Sequence, residues 1–230
     1  MNYIYQHLGL GDHIICNGLV RTLISNNDEY YIFVKSHNLT SVKFMYNDIT
    51  NLKYISVKND ESVKKFIEQN NIKFENLKII GFDRHSKAKN FDDSFYLQHN
   101  VPFSYRWDKF FVKRDVEREY NFFKKFQIPE GEYVFIHDDH RRNFRINENK
   151  ILNKNLPILR PIDGLTDNIF DYCYLMEKSK ESHFIDSSFR LIFDSLKMRN
   201  DDIFFHVNLL NNIIKDRDNT SHSFLNFKII

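Results

Sequence analysis

Glycine, proline, cysteine, alanine and net charge are all in short supply in this chain. Six glycines and four prolines in 230 residues leave no Pro/Gly/Ser-rich linker, so any domain boundary is a soft one. The two cysteines, Cys16 and Cys173, stand in no CxxC or CxxH spacing, which argues against a disulfide framework or a zinc knuckle and predicts two reduced, buried thiols. Lys plus Arg number 33 against 31 Asp plus Glu, a formal +2, so the chain carries no counterion-release footprint for nucleic acid and no bulk field for an anionic membrane. Any anion site must be local. No apolar run approaches the roughly 20 residues of a membrane span. Met1 to His7 shows no basic region leading into an apolar core, and the expected location is cytoplasmic. Alanine occurs once, at Ala88, beside abundant Asn, Lys, Ile, Tyr and Phe, a bias of AT-rich codon usage that carries no functional weight.

What is present is material for a core: 42% hydrophobic residues and 16% aromatics lie far from the composition of a disordered chain. In the first half, Tyr3 to Tyr5, Tyr31 to Val34, Lys53 to Val57 and Leu77 to Gly81 read as strands. Asp12 to Ile24, Leu39 to Tyr46 and Glu61 to Gln69 carry helical spacing between them. Strands separated by helical segments imply parallel pairing, hence a Rossmann-like sheet. A shorter βα repeat follows Pro129, with strands at Tyr133 to Ile136, Ile158 to Arg160, His183 to Ile185 and Ile203 to His206, and helices at Ile169 to Lys178 and Ser188 to Lys197. Phe103 to Phe111 and Asp115 to Phe126 are expected as a helical bridge, and the polar stretch from Arg141 to Asn155 as a mobile loop. The expected fold is α/β: two small Rossmann-like parallel-sheet units facing each other, 1–128 (with the bridge at 101–128) and 129–230.

The first βα turn is Gln6-His7-Leu8-Gly9-Leu10-Gly11-Asp12. Its two glycines permit a tight turn and close approach of another molecule, and crevices at the carboxyl ends of parallel strands are where ligands bind in open α/β sheets. Asp12 can be a site residue there or simply the cap of the helix that follows. Gly9-Leu10-Gly11-Asp12, continued by His13-Ile14-Ile15, resembles the N-terminal G-x-G-D signature of heptosyltransferase-like enzymes, which have the GT-B glycosyltransferase fold. The resemblance implies that Asp12 is the general base that deprotonates an acceptor hydroxyl. Asn17-Gly18 stands where the family often has a proline. The acceptor class therefore does not carry over.

In the second half, Ile185-Asp186-Ser187-Ser188 ends a strand and opens an amphipathic helix, a place where backbone N–H groups and hydroxyls suit a diphosphate. Capping by Asp186 or Ser187 is the structural alternative. The run resembles the late strand-to-helix turn of GT-B enzymes, which holds the diphosphate of the sugar nucleotide, although the family's following histidine is absent. His137-Asp138-Asp139-His140-Arg141-Arg142-Asn143-Phe144-Arg145 follows the first strand of the second unit. Arg141, Arg142 and Arg145 would clamp a departing nucleoside diphosphate through their planar forks, with His137, Gly9 and Gly11 as further candidates for donor or phosphate binding. His137 to His140 are competent metal ligands, but four consecutive residues at a strand end rarely converge on one ion, and no metal is expected.

Arg106 and Trp107, with His7, are candidates for acceptor or interdomain contacts; packing of Trp107 and an Arg106–Asp108 ion pair are the structural alternatives. Together these features predict an inverting glycosyltransferase that uses a nucleoside diphosphate sugar as co-substrate, needs no further cofactor and acts on a glycan or lipid-linked saccharide. A lipid-linked acceptor would add peripheral membrane contact. The rival readings are a non-catalytic nucleotide- or glycan-binding protein and a metal-dependent phosphate-processing hydrolase built on His137 to His140.

Overall fold

The structure, a computed structural model, describes residues 1–83, 85–140, 143–206 and 222–230. The chain divides into two compact units, Met1–Lys113 and Arg114–Ile230, so the break lies ahead of the expected position near residue 128.

In the first unit, β1 (Asn2–Gln6), β2 (Tyr30–Lys35), β3 (Leu52–Val57) and β4 (Leu77–Ile80) form one all-parallel sheet in the order β3-β2-β1-β4. All four strands coincide with apolar runs in the sequence. The connections are α1 (Leu10–Ile15), α2 (Asn17–Leu23), α3 (Leu39–Met45) and α4 (Asp60–Gln69). On α4, Val63, Phe66 and Ile67 fall at i, i+3 and i+4 and pack on Tyr3, Tyr5, Phe33 and Val57 of the sheet. Asn59 caps that helix by accepting from the Ser62 N–H at 3.0 Å.

The helix expected over Asp12 to Ile24 is two helices, with Cys16 (φ −81°, ψ 0°) as the joint. Between β4 and the end of the unit lie α5 (Phe91–Leu97) and a single turn, α6 (Tyr105–Asp108). Helix α6 is shorter than the expected Phe103 to Phe111 because Asn17 takes both backbone groups of Phe111. Its Nδ2 donates to the Phe111 carbonyl at 3.2 Å, and its Oδ1 accepts from the Phe111 N–H at 3.0 Å. Gly18 is needed for the same contact, since a Cβ there would lie 2.0 Å from the Tyr105 carbonyl oxygen. Asn17-Gly18 thus docks the 105–111 segment on α2.

In the second unit, β5 (Val134–His137), β6 (Ile158–Leu159), β7 (Glu181–Phe184), β8 (Asp202–Phe205) and β9 (Lys228–Ile229) form a parallel sheet in the order β6-β5-β7-β8-β9. The fifth strand was not expected from the sequence. Helix α7 (Val116–Phe123), expected as part of the bridge, belongs to this unit and packs on α8 (Cys173–Glu177). The Arg114 guanidinium holds the buried Glu119 carboxylate there, with 2.6 Å from Nη2 to Oε2. Helix α9 (Ser188–Ser195) follows β7.

The polar stretch expected as a mobile loop contributes to the core instead. Phe144, Ile146 and Ile151 are buried against Val134, Ile136 and Ile185, so residues 143–155 form a strap over one face of the sheet. Its few apolar side chains, spaced among Asn, Lys and Glu, are enough to anchor it. Both cysteines are free and buried, as the sequence predicts.

Candidate functional site

Strand order locates the ligand edge of each sheet. In the first unit the chain builds outward from β1 through β2 to β3, then returns to place β4 on the other side of β1. In the second it places β6 on one side of β5 and then β7 on the other. The carboxyl ends of β1/β4 and of β5/β7 are therefore topological switch points, where the diverging connections open a crevice.

At the first switch point, Gly9 is the N-cap of α1, in extended conformation and without a side-chain cap bond. Asp12 is not the cap: it sits three residues on, half-buried in the first turn, where a carboxylate meets the positive end of the helix dipole. Its carboxylate folds back over the turn, with Oδ2 only 2.5 Å from where a Cβ on residue 9 would lie. Gly9 therefore makes room for the Asp12 carboxylate. Asn38 fixes the approach by donating from Nδ2 to the Leu8 carbonyl at 3.1 Å.

His7 lies opposite Gly81, with Nε2 2.7 Å from the Gly81 carbonyl oxygen and its ring 4.5 Å from Phe82. Gly81 has φ +90°, and a Cβ there would press on Phe95 and His7. Beneath the turn, His13 is fully buried, with Nδ1 2.6 Å from Gln6 Nε2, and burial pushes its pKa down to about 3, so the ring is neutral. The Cys16 thiol is pushed well up by burial, an effect that the Asp12 charge reinforces, and it stays protonated.

Arg106 is fully buried and pairs with Asp92 of α5, not with Asp108. Its guanidinium lies 5.0 Å from the Trp107 ring centroid, and Trp107 meets Phe103 edge-on. Within the first unit both residues serve packing. Asp92 went unnoticed in the sequence because Phe91-Asp92-Asp93-Ser94 breaks the apolar periodicity of α5.

At the second switch point, Ser187 is the N-cap of α9, accepting from the Arg190 N–H at 3.5 Å, and Ser188 is the first helical residue. Asp186 binds Arg190 instead: its Oδ1 accepts from Nη2 at 2.6 Å and from Nε at 3.2 Å. Arg190 is fully buried, with its guanidinium 4.6 Å from the Phe205 ring centroid. Four-residue spacing from Asp186 was the sequence signal for it.

His137, at the end of β5, stacks on Phe189 at 4.3 Å. Asp138 takes another direction, receiving His140 Nε2 at 2.8 Å and lying 3.5 Å from Arg160 Nε. Asp139 joins Phe144 in a backbone bridge. The run thus spreads over separate contacts, and no group of three or more His, Cys, Asp or Glu side chains fit to hold a metal ion occurs among the described residues. Arg145 is exposed; Arg141 and Arg142 lie outside the described residues.

Sequence reasoning missed one buried polar chain. Glu181 Oε1 lies 2.6 Å from His183 Nε2, and His183 Nδ1 lies 2.8 Å from His206 Nε2. Glu181 also accepts from Leu152 N at 2.8 Å, Asn153 N at 2.9 Å and Asn153 Nδ2 at 2.7 Å. Burial works against its charge, yet these donors hold its carboxyl below the ordinary value. Period-two placement of Glu181 and His183 on one face of β7 was the available signal.

Searches against protein-family models, curated proteins and solved structures found no match. No helix among the described residues is long and apolar enough to cross a membrane.

Proposed function

We propose that the chain is an inverting glycosyltransferase of the GT-B type, with the first unit taking the acceptor and the second the nucleoside diphosphate sugar. The observation that supports this reading best is the pairing of each parallel sheet with a ligand-type turn at its own switch point: Gly9 to Asp12 after β1, and Asp186 to Ser188 after β7. In this mechanism Asp12 takes the proton of the acceptor hydroxyl as that oxygen attacks the anomeric carbon. The bond from that carbon to the diphosphate breaks, and its electron pair leaves on the diphosphate. Backbone N–H groups at the start of α9, the hydroxyls of Ser187 and Ser188, and Arg141 and Arg142 stabilise the developing charge. The Asp186–Arg190 pair removes a carboxylate charge that would otherwise oppose the diphosphate.

A thermal-shift panel of UDP, GDP, ADP, CMP and their sugars tests the donor site, because a ligand that binds only the folded state raises the melting midpoint. No response to any of them overturns it. Asp12→Asn should abolish transfer while leaving the donor-induced shift in place; retained transfer overturns the role of Asp12.

A further inference from the structure

The carboxyl edge of the first sheet carries a second constellation. Phe82, two residues past the end of β4, is 40% exposed, yet its ring is firmly mounted. It lies 4.5 Å from the Tyr5 ring and 4.5 Å from the His7 ring. His7 is itself tied to Gly81, whose left-handed backbone no side chain could adopt without meeting Phe95 and His7. On its other side the buried Tyr5 donates its hydroxyl to Asp60 Oδ1 at 2.7 Å. Burial, with Asp60 reinforcing it, pushes the Tyr5 pKa up, so the phenol keeps its proton and remains the donor in this bond. Asp60 is exposed at the first position of α4. The result is a solvent-facing aromatic ring and a solvent-facing carboxylate, coupled through one buried tyrosine.

We infer that Phe82 and Asp60 form a saccharide subsite, with the Phe82 face receiving the C–H face of a pyranose and the Asp60 carboxylate accepting from its hydroxyls. A pyranose ring is amphipathic in the matching sense: its axial C–H groups form an apolar face that an aromatic ring covers, and its hydroxyls are donors that a carboxylate satisfies. A nucleotide phosphate fits this place poorly, since the exposed Asp60 carboxylate would repel it. The turn from Gly9 to Asp12 follows β1, the strand paired with β4, so the subsite and Asp12 share one edge of one sheet. Naming the bound ring as the acceptor rests on the glycosyltransferase reading; the subsite itself does not.

The test is saturation-transfer NMR on the full chain with methyl β-D-glucopyranoside, methyl β-D-galactopyranoside and methyl N-acetyl-β-D-glucosaminide, with sorbitol as an open-chain control. At least one pyranoside should show saturation at its ring C–H protons, and sorbitol none. Phe82→Ala and Asp60→Asn should each weaken binding about tenfold, and Phe82→Tyr should keep it. Equal binding by Phe82→Ala and the unaltered protein, or no saturation from any pyranoside, overturns the subsite. Binding lost in Phe82→Ala, with no nucleotide sugar consumed by the unaltered protein, keeps the subsite and overturns the transferase reading. Transfer whose acceptor KM is unmoved by Phe82→Ala keeps the transferase reading and overturns the naming of the bound ring as its acceptor.

Discussion

His183 and His206 share a hydrogen bond of 2.8 Å, Nδ1 to Nε2, with His183 fully buried and His206 only 5% exposed. Glu181 fixes the protons in this chain. Its carboxylate can only accept, so His183 Nε2 carries a hydrogen, and a neutral His183 then presents a bare Nδ1 to the N–H of His206. A further proton on the pair would have to enter a buried site. Burial, with His183 and Lys150 adding to it and Asp138 opposing, pushes the His206 pKa down to about 4. His13, in the first unit, is pushed down to about 3 by burial alone.

The pH dependence of stability follows from these depressed values. Between about pH 6.5 and 4 an unfolded histidine binds a proton that the folded one refuses, so the unfolded state holds more protons and stability falls with acidification. The stabilisation is fully present above about pH 6.5 and is lost as pH falls toward 4 for His206 and toward 3 for His13. Urea denaturation followed across that range should lose stability with a slope of roughly one proton per histidine, and His206→Gln should reduce the slope by about one proton near pH 5. An unchanged slope in that variant would show that His206 titrates normally in the folded protein.

Gly18→Ala addresses the docking of the 105–111 segment. The added methyl would sit 2.0 Å from a backbone carbonyl oxygen, which cannot swing aside as a side chain can. A loss of about 1–3 kcal/mol is expected, the usual range for overpacking, even though alanine is the better helix former. Chemical denaturation measures it. A stabilised Gly18→Ala variant would mean that α6 moves away from α2 at little cost.

The strands of both sheets were legible because short apolar runs between polar segments leave few alternatives, and only the two-residue β9 escaped. Helix limits were less so. The Asp12 to Ile24 periodicity continues smoothly through Cys16, where the backbone breaks, and nothing near Phe111 signals that Asn17, 94 residues earlier, will take its backbone groups. The same limit applies to the sites. Gly9, Asp12, Ser187 and Ser188 announce themselves because turn chemistry is local. Arg106–Asp92 and Glu181–His183–His206 depend on strand register and helix packing, which set partners far apart in the chain side by side. Phe82 was one among 23 phenylalanines until Gly81, His7 and Tyr5 showed how it is mounted.

Gly9→Ala separates the geometry of the first turn from its stability. The new Cβ would fall 2.5 Å from Asp12 Oδ2, the mobile end of a side chain, so the carboxylate moves rather than the backbone. Stability should drop by only about 1 kcal/mol, the order of placing alanine at an N-cap. If the proposed transferase reading holds, transfer should fall far more, since a general base acts only within hydrogen-bond reach of the proton it takes. A variant with full activity would show that the position of the Asp12 carboxylate over residue 9 is immaterial.

Arg190 offers a corresponding test at the second turn, through a pair of residues rather than one. Its guanidinium forks onto Asp186 and also donates from Nη1 to Ser223 Oγ at 2.5 Å, a geometry that lysine cannot reproduce. Arg190→Met removes the cation and leaves the Asp186 carboxylate beside Ser187 and Ser188, so it should cost about 3 kcal/mol of stability, as breaking a buried ion pair does. If the proposed donor site is at α9, the variant should also erase the thermal shift caused by a nucleoside diphosphate, because an uncompensated carboxylate would then face the phosphates. Adding Asp186→Asn removes that charge, and the double variant should recover part of the shift while remaining less stable than the unaltered protein. The two effects therefore separate in a double-mutant cycle, with a coupling of about 0.5–3 kcal/mol expected for residues in direct contact. Recovery of neither stability nor ligand response in the double variant would mean that Arg190 supports the second unit through Phe205 and Ser223, and that its charge has no bearing on a ligand at α9.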